Sequence, residues 1–194
     1  SLRRRQRQMC IRDRNHIGTH DTERAISRLA GEDCKGYGRQ WQHEHDRLGE
    51  YEYLKGVSMM KIASLIQYTL PGVPSLYYGD EAGMQGLRDP FNRECMNWDK
   101  PNEELHRWYK RLGEIRMGCK VFAHGEFVPV YSNHKTIAYL RSDEDSEVLV
   151  AVNLDDTDVD IFVGEQWDNS YNFFDAKAEN GYIHLEPTRY TMLT

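Results

Sequence analysis

The sequence predicts an α/β region that is followed by an all-β region. Up to about residue 118, helical hydrophobic patterns alternate with a short β-type run, as in parallel layers whose strands are connected by helices. Beyond Lys120, short β-type runs separated by turn-forming residues are typical of a small antiparallel sandwich. Hydrophobic residues make up 39% of the 194 positions, which is enough to fill a core.

A helix and a strand are predicted in succession in the α/β region. Apolar side chains recur at helical spacing over residues 58–70, where Pro71-Gly72 ends the pattern. The apolar run of residues 73–78 is rich in β-forming residues and is closed by Gly79, so we expect a buried strand.

A second helix is predicted after Asn102, a favourable N-cap residue. Glu103 and Glu104 occupy its first turn, where acidic side chains complement the helix dipole. Met117-Gly118 ends the pattern. The apolar stripe of this helix is formed by Leu105, Trp108, Tyr109, Leu112 and Ile115.

The all-β region contains five short β-type runs with polar breaks between them. The runs cover residues 136–140, 148–154, 159–163, 182–185 and 190–193. The acidic breaks at residues 143–146 and 155–158 do not have the spacing of an EF-hand loop. We therefore interpret them as solvated turns and expect no metal site there.

A long polar stretch lies between Gly31 and Gly56 and shows no clear period. It contains Tyr37 and Trp41. Loops of this length in compact domains are often functional. Two interpretations stay open: contact of the aromatic rings with a substrate, and an irregular connection anchored by the tryptophan.

Residues 1–14 differ from the rest of the chain in charge. They contain six arginines and one acid, whereas the whole chain has 25 basic and 31 acidic residues. A nucleic-acid-binding arm would be basic too, but no recognised nucleic-acid module follows. Because part of this segment resembles translated sequencing-adapter sequence, we interpret it as non-native or disordered and predict domains at residues 15–118 and 119–194.

The spacing of the cysteines and the hydropathy of the sequence indicate the cellular environment of the protein. Cys10, Cys34, Cys95 and Cys119 are widely spaced, so neither a disulfide framework nor a zinc site is expected. No apolar run is long enough to span a bilayer, and nothing near the start resembles a signal peptide. We expect a cytoplasmic protein without a membrane partner, and secretion stays open as an alternative.

Two sequence blocks carry the functional information. The first is residues 15–24, which contains Gly18-Thr19-His20-Asp21-Thr22-Glu23-Arg24. The second begins with Pro71-Gly72-Val73-Pro74-Ser75-Leu76-Tyr77-Tyr78-Gly79-Asp80-Glu81 and continues through Asp89-Pro90-Phe91-Asn92-Arg93 to Met96-Asn97-Trp98-Asp99. An adjacent His and Asp alone would be weak evidence, but two such blocks in this order are specific.

Both blocks resemble glycoside hydrolase family 13, the α-amylase family. The first is similar to the end of the seventh barrel strand, and the second to the eighth strand and the loop after it. The second is most similar to the neopullulanase, cyclomaltodextrinase and maltogenic amylase branch. The resemblance implies the C-terminal part of a (β/α)₈ barrel followed by a C-terminal antiparallel β-sandwich, with its site at the C-terminal ends of the strands.

The resemblance also implies roles for individual residues. Retaining glycosidases need a carboxylate nucleophile and a carboxylic acid on either side of an oxocarbenium-like transition state. Asp21 matches a third carboxylate that stabilises this transition state, and His20 matches a residue that binds a hydroxyl of the sugar being cleaved. Asp89 and Arg93 match contacts to more distant sugars, or they form a local ion pair. Asp80 and Glu81, although acidic, match structural positions.

The activity implied is that of a retaining glycosidase which hydrolyses, or transfers across, α-1,4 and α-1,6 bonds of maltooligosaccharides, cyclodextrins or pullulan. The nucleophile and the general acid would lie upstream, so we expect the 194-residue chain alone to be inactive. The partner is an α-glucan oligosaccharide, no cofactor or metal is implied, and the parent enzyme is a candidate homodimer. Alternatives are an oligo-1,6-glucosidase, a trehalose-forming isomerase, a non-catalytic carbohydrate-binding homologue and a free-standing carbohydrate-binding module.

Overall fold

The computed structural model describes residues 14–194. These residues form two compact units: residues 14–68 with 73–115, and residues 69–72 with 116–194. The basic segment singled out in the sequence lies outside the described residues, except for Arg14. No helix among residues 14–194 is long and apolar enough to cross a membrane.

The first unit contains a pair of short parallel strands. Strand β1 (Arg14–Asn15) pairs with β2 (Val73–Pro74), and Asn15 lies opposite Pro74. Between them lie helices α1 (Ala25–Ala30), α2 (Arg39–Glu44) and α3 (Glu50–Thr69). The Gln67 side chain of α3 donates to the carbonyls of Asn15 at 2.8 Å and Ser75 at 3.0 Å, which ties the helix to both strands. This is the helical crossover expected between parallel strands.

Helix α3 differs from the prediction in its start. It begins at Glu50, eight residues before the predicted start at Ser58, so the last part of the polar stretch is helical. Tyr51 is 76% exposed and Leu54 is 56% exposed in its first turns. Because these turns do not bury an apolar face, the sequence there has no amphipathic period.

The predicted buried strand at residues 73–78 is wrong in both length and burial. Only Val73 and Pro74 are in a strand, and Val73 is 49% exposed. Leu76 and Tyr78 are also exposed. Within residues 14–194 the strand pairs only with the two-residue β1, so few neighbours cover its side chains.

The predicted second helix is confirmed as α4 (Glu103–Gly118). Asn102 caps it: its side-chain Oδ1 accepts a hydrogen bond from the N–H of Leu105 at 2.9 Å. The predicted stripe is the buried one, formed by Leu105, Trp108, Tyr109, Leu112 and Ile115. Apolar side chains at this spacing share one face of a helix, which the sequence specifies directly.

The second unit is a β-sandwich that follows the short helix α5 (Val121–His124). Its strands are β3 (Glu126–Ser132), β4 (Thr136–Ser142), β5 (Glu147–Asn153), β6 (Val159–Phe162), β7 (Ala178–Glu179), β8 (Tyr182–Leu185) and β9 (Arg189–Leu193). One antiparallel sheet has the order β3-β4-β5-β9 and the other has the order β6-β8-β7. Side chains from both sheets, including Leu149, Ile161, Ile183 and Leu193, form its core with Trp167.

All five β-type runs predicted for the sandwich are strands, and two of its described strands, β3 and β7, were not predicted. Strand β3 lies at a sheet edge, contains Pro129 and has mostly exposed side chains, so it lacks the alternation that marks a half-buried strand. Strand β7 has only two residues.

The acidic breaks between the strands are turns with local contacts. Asp143 Oδ1 accepts the N–H of Ser146 at 2.9 Å, and Lys135 Nζ lies 3.2 Å from Asp155 Oδ1.

Candidate active site

His20 and Asp21 lie in the turn after β1, which contains local hydrogen bonds. The hydroxyl of Thr19 accepts the N–H of Asp21 at 3.2 Å, and the hydroxyl of Thr22 accepts the N–H of Thr19 at 3.1 Å. His20 Nε2 lies 3.3 Å from Asp21 Oδ1, while the two side chains are 64% and 73% exposed. Local hydrogen bonds therefore support the backbone of this turn, and both functional side chains face solvent.

The loop after β2 brings Asp89 and Arg93 to the same place. Arg93 Nε lies 3.2 Å from Asp89 Oδ1 and donates to the His20 carbonyl at 3.2 Å. Arg93 Nη2 lies 3.8 Å from Asp21 Oδ1. The structure therefore joins His20, Asp21, Asp89 and Arg93 in one exposed cluster. The local ion pair of Asp89 and Arg93 is present, and contact of either residue with a sugar stays a prediction.

Sequence reasoning missed Asn92, which lies beneath this cluster. Its side chain is fully buried, and its Nδ2 donates to the carbonyls of His20 at 2.8 Å and Thr22 at 2.7 Å. Asn92 belongs to a single 3₁₀ turn (Phe91–Arg93). Its position beside Arg93 was the only available sequence signal, because an asparagine in a polar loop has no distinctive pattern.

Arg24 was also missed, and it joins the two loops from the interior. Its guanidinium is buried, donates to the Tyr78 carbonyl, and lies 4.5 Å from the ring centres of both Tyr77 and Tyr78. Asp80 Oδ1 is 3.9 Å from Arg24 Nη1. Burial raises the pKa of Asp80 to about 7, although Arg24 opposes this shift.

The positions of Asp80 and Glu81 agree with structural roles. Asp80 is only 3% exposed and lies beside Arg24, away from solvent. Glu81 Oε2 accepts the N–H of Gly79 at 2.9 Å and so closes the turn in which it lies. Gly79 has φ +86°, a conformation that glycine adopts without strain.

Glu23, next in the chain to Arg24, is the centre of a second buried contact. Its Oε1 accepts Arg88 Nε at 2.7 Å and the Cys34 thiol at 3.3 Å. Burial raises the pKa of Glu23, but hydrogen bonds from its own backbone, Arg88 and Cys34 outweigh burial and lower it overall. Burial and Glu23 raise the pKa of the Cys34 thiol. Cys34, Cys95 and Cys119 are free thiols, and Cys10 lies outside the described residues.

In the long polar stretch, the rings of Tyr37, Trp41 and His45 are stacked one on another. The ring centres of Tyr37 and Trp41 are 4.0 Å apart, and those of Trp41 and His45 are 4.3 Å apart. The rings stack on one another, and Tyr37 is 52% exposed, so contact with a substrate and an anchored connection both stay predictions. The segment contacts the loop that bears Asp89 and Arg93, because Gln42 Oε1 accepts the N–H of Arg88 at 3.1 Å.

The exposed cluster offers hydrogen-bonding and charged groups. Across the described part of the chain, no group of three or more His, Cys, Asp or Glu side chains could hold a metal ion. Asp21 is an exposed acceptor between an imidazole and a guanidinium. Such a group can bind hydroxyls or stabilise developing positive charge, whereas glycosidic bond cleavage also needs a nucleophile and a proton donor.

Comparison with known proteins identifies relatives that match the chain over most of its length. No protein-family model matches it. A cyclomaltodextrinase of Thermoanaerobacter pseudethanolicus is 31% identical over 177 residues, which is 89% of this chain and 27% of that protein. An amylopullulanase of Thermoanaerobacter thermohydrosulfuricus is 31% identical over 127 residues, which is 66% of this chain and 8% of that protein.

The solved structures give the same result for the fold. A cyclomaltodextrinase structure superposes with a TM-score of 0.72 at 25% identity, covering 97% of this chain and 30% of its own. The fold class is thus the C-terminal part of a (β/α)₈ barrel with an antiparallel β-sandwich. The resemblance inferred from the sequence blocks is confirmed: this chain is a relative of the cyclomaltodextrinases and amylopullulanases of glycoside hydrolase family 13, and it corresponds to part of their length.

Proposed function

We propose that this chain is part of a retaining α-glucan glycosidase. The complete protein hydrolyses, or transfers across, α-1,4 and α-1,6 glucosidic bonds of maltooligosaccharides, cyclodextrins or pullulan. The proposal draws on the names of the relatives, a cyclomaltodextrinase and an amylopullulanase, and on the chemistry of the exposed cluster. The relatives extend well beyond the matched region, so the proposal concerns the protein to which this chain belongs.

The observation that carries the proposal is the convergence of two separate sequence blocks on one surface. His20 and Asp21 follow β1, Asp89 and Arg93 lie in the loop after the parallel strand β2, and Arg93 contacts both members of the first pair. Active sites of (β/α)₈ barrels are built from the segments that follow the C-terminal ends of their strands. The segments that bear the cluster follow β1 and β2 in the chain, which supports the proposal.

In the proposed mechanism, Asp21 is a fixed negative charge near the carbon that becomes positive in the transition state. Its interaction strengthens as the oxocarbenium character develops, so it lowers the barrier more than it strengthens substrate binding. His20 donates a hydrogen bond to a hydroxyl of the same sugar. Asp89 and Arg93 bind sugars further from the scissile bond on the non-reducing side. The nucleophile and the general acid belong to the part of the enzyme upstream of residue 1.

The test is the Asp21→Asn variant of the complete protein, assayed on pullulan, a cyclodextrin and a chromogenic maltoside. We expect kcat to fall by about 10²–10³-fold, as for other groups that stabilise a transition state electrostatically, with a smaller change in KM. The matched control is Asp156→Asn, the same chemical change at a side chain in the sandwich that is 88% exposed, which should leave both constants unchanged.

Two results would contradict the proposal. Turnover by the 194-residue chain alone would show that it needs no upstream nucleophile or acid. A complete protein that binds maltooligosaccharides and cleaves none of them would indicate a non-catalytic binding protein instead.

A further inference from the structure

We propose that Asn92 is a positioning residue that fixes the turn carrying His20 and Asp21. One amide group donates to two backbone carbonyls, those of His20 at 2.8 Å and Thr22 at 2.7 Å, and these carbonyls lie on either side of Asp21. The catalytic consequence rests on the proposed function, whereas the structural role does not.

The turn needs such an anchor because its functional side chains are exposed. The side chains of His20 and Asp21 are 64% and 73% exposed, so packing does not hold them. Their orientation depends on the backbone to which they are attached. Asn92, with no exposed surface, holds that backbone from the protein interior. Arg93 Nε supplies a further donor to the His20 carbonyl at 3.2 Å.

The hydrogen bonds determine which way the Asn92 amide points. With Nδ2 toward the two carbonyls, both contacts are favourable, whereas the flipped amide would place its oxygen against two acceptors. In the observed orientation Asn92 Oδ1 is buried and has no hydrogen-bond partner among residues 14–194. An apolar side chain of similar size would avoid that cost, so the contribution of the amide lies in the two bonds that it donates.

Asn92 is itself held in place by neighbouring residues. The Tyr77 hydroxyl donates to the Asn92 carbonyl at 3.4 Å, and the Tyr77 ring lies against the buried guanidinium of Arg24. The adjacent residue, Arg93, reaches Asp21 and Asp89. In this turn, residue 92 therefore supports the backbone of His20 and Asp21, and residue 93 belongs to the exposed cluster.

The experiment compares Asn92→Leu and Asn92→Asp in the complete protein. Leucine has a similar volume without donors, and aspartate keeps the shape but replaces Nδ2 by a carboxyl oxygen that faces two carbonyls. Asn133→Asp is the matched control, because Asn133 lies in an exposed turn of the sandwich and aspartate keeps the side-chain oxygen that accepts the N–H groups of Lys135 and Thr136. We expect kcat to fall on the order of 10–100-fold in both Asn92 variants with a smaller change in KM, as misplacement of a catalytic group predicts.

Hydrogen exchange of the backbone supplies a readout that does not depend on activity. Amides of residues 19–24 should exchange faster in both Asn92 variants and at the wild-type rate in the Asn133 variant. Unchanged exchange in the folded leucine variant would overturn the inference. An active wild-type enzyme whose Asn92→Leu variant keeps its kcat would also overturn it and leave the proposed function intact. A wild-type protein that cleaves no α-glucan would refute the proposed function, and exchange would still decide the role of Asn92.

Discussion

Replacement of Asp80 by asparagine measures what controls the charge of a buried carboxylate beneath the candidate site. Asp80 is 3% exposed, and its Oδ1 lies 3.9 Å from Arg24 Nη1. Two effects oppose each other there, because burial disfavours the ionised carboxylate and the guanidinium favours it. Burial prevails and raises the pKa of Asp80 from 3.8 to about 7, with Glu81 adding to the shift.

This raised pKa has a definite sign in the pH dependence of stability. Between pH 3.8 and about 7, the folded protein holds a proton on Asp80 that the unfolded chain releases. The stability that this proton confers is complete below the unfolded pKa and is lost as the pH rises through the folded pKa. Because protonation of Asp80 is linked to folding, the free energy of unfolding should fall on the order of 2–3 kcal/mol between pH 5 and pH 8. Asparagine cannot ionise and avoids this loss.

The assay is urea unfolding of the 194-residue chain and its Asp80→Asn variant at several pH values between 5 and 8. The quantity of interest is the difference between their free energies of unfolding, since contributions from other titrating groups cancel in it. Replacement of the protonated carboxyl by an amide gives a constant offset, and the attraction of Arg24 for the ionised carboxylate is already included in the pKa of about 7. We expect the difference to move in favour of the asparagine variant as the pH rises. A difference that is constant, or that moves in favour of aspartate, would show that Arg24 outweighs burial.

Two further substitutions each test a contact within one unit, and urea unfolding measures the effect of both on the free energy of unfolding. Asn102→Ala should cost about 1–2 kcal/mol, because it removes the cap bond to the Leu105 N–H at 2.9 Å; Asn102→Asp, which keeps a capping oxygen, should cost less. Arg141→Lys should cost about 3–6 kcal/mol, because the buried guanidinium donates to five backbone carbonyls and an ammonium has three donors. The same change at the exposed Arg189 should cost little, and equal costs at both positions would contradict this account.

The helices and strands that could be predicted are those with a buried face. Helix α4 was predicted with its cap and all five buried side chains, because amphipathic spacing and capping are local properties of the chain. The first turns of α3 and the edge strand β3 bury few apolar side chains, so their sequences carry no period. The prediction of a strand at residues 73–78 was wrong for another reason. An apolar run favours a strand, but pairing with other strands decides how long the strand is.

By itself, the sequence determined the fold class, the relationship to α-glucan-active enzymes and four candidate residues. These depend on residue types at fixed spacing, which the chain displays without folding. Only the tertiary structure decided that Arg93 reaches Asp21, that Asn92 holds the turn between His20 and Thr22, and that Asp80 is buried beside Arg24. These contacts join residues more than fifty positions apart in the chain, and their strength depends on burial, which local sequence does not encode.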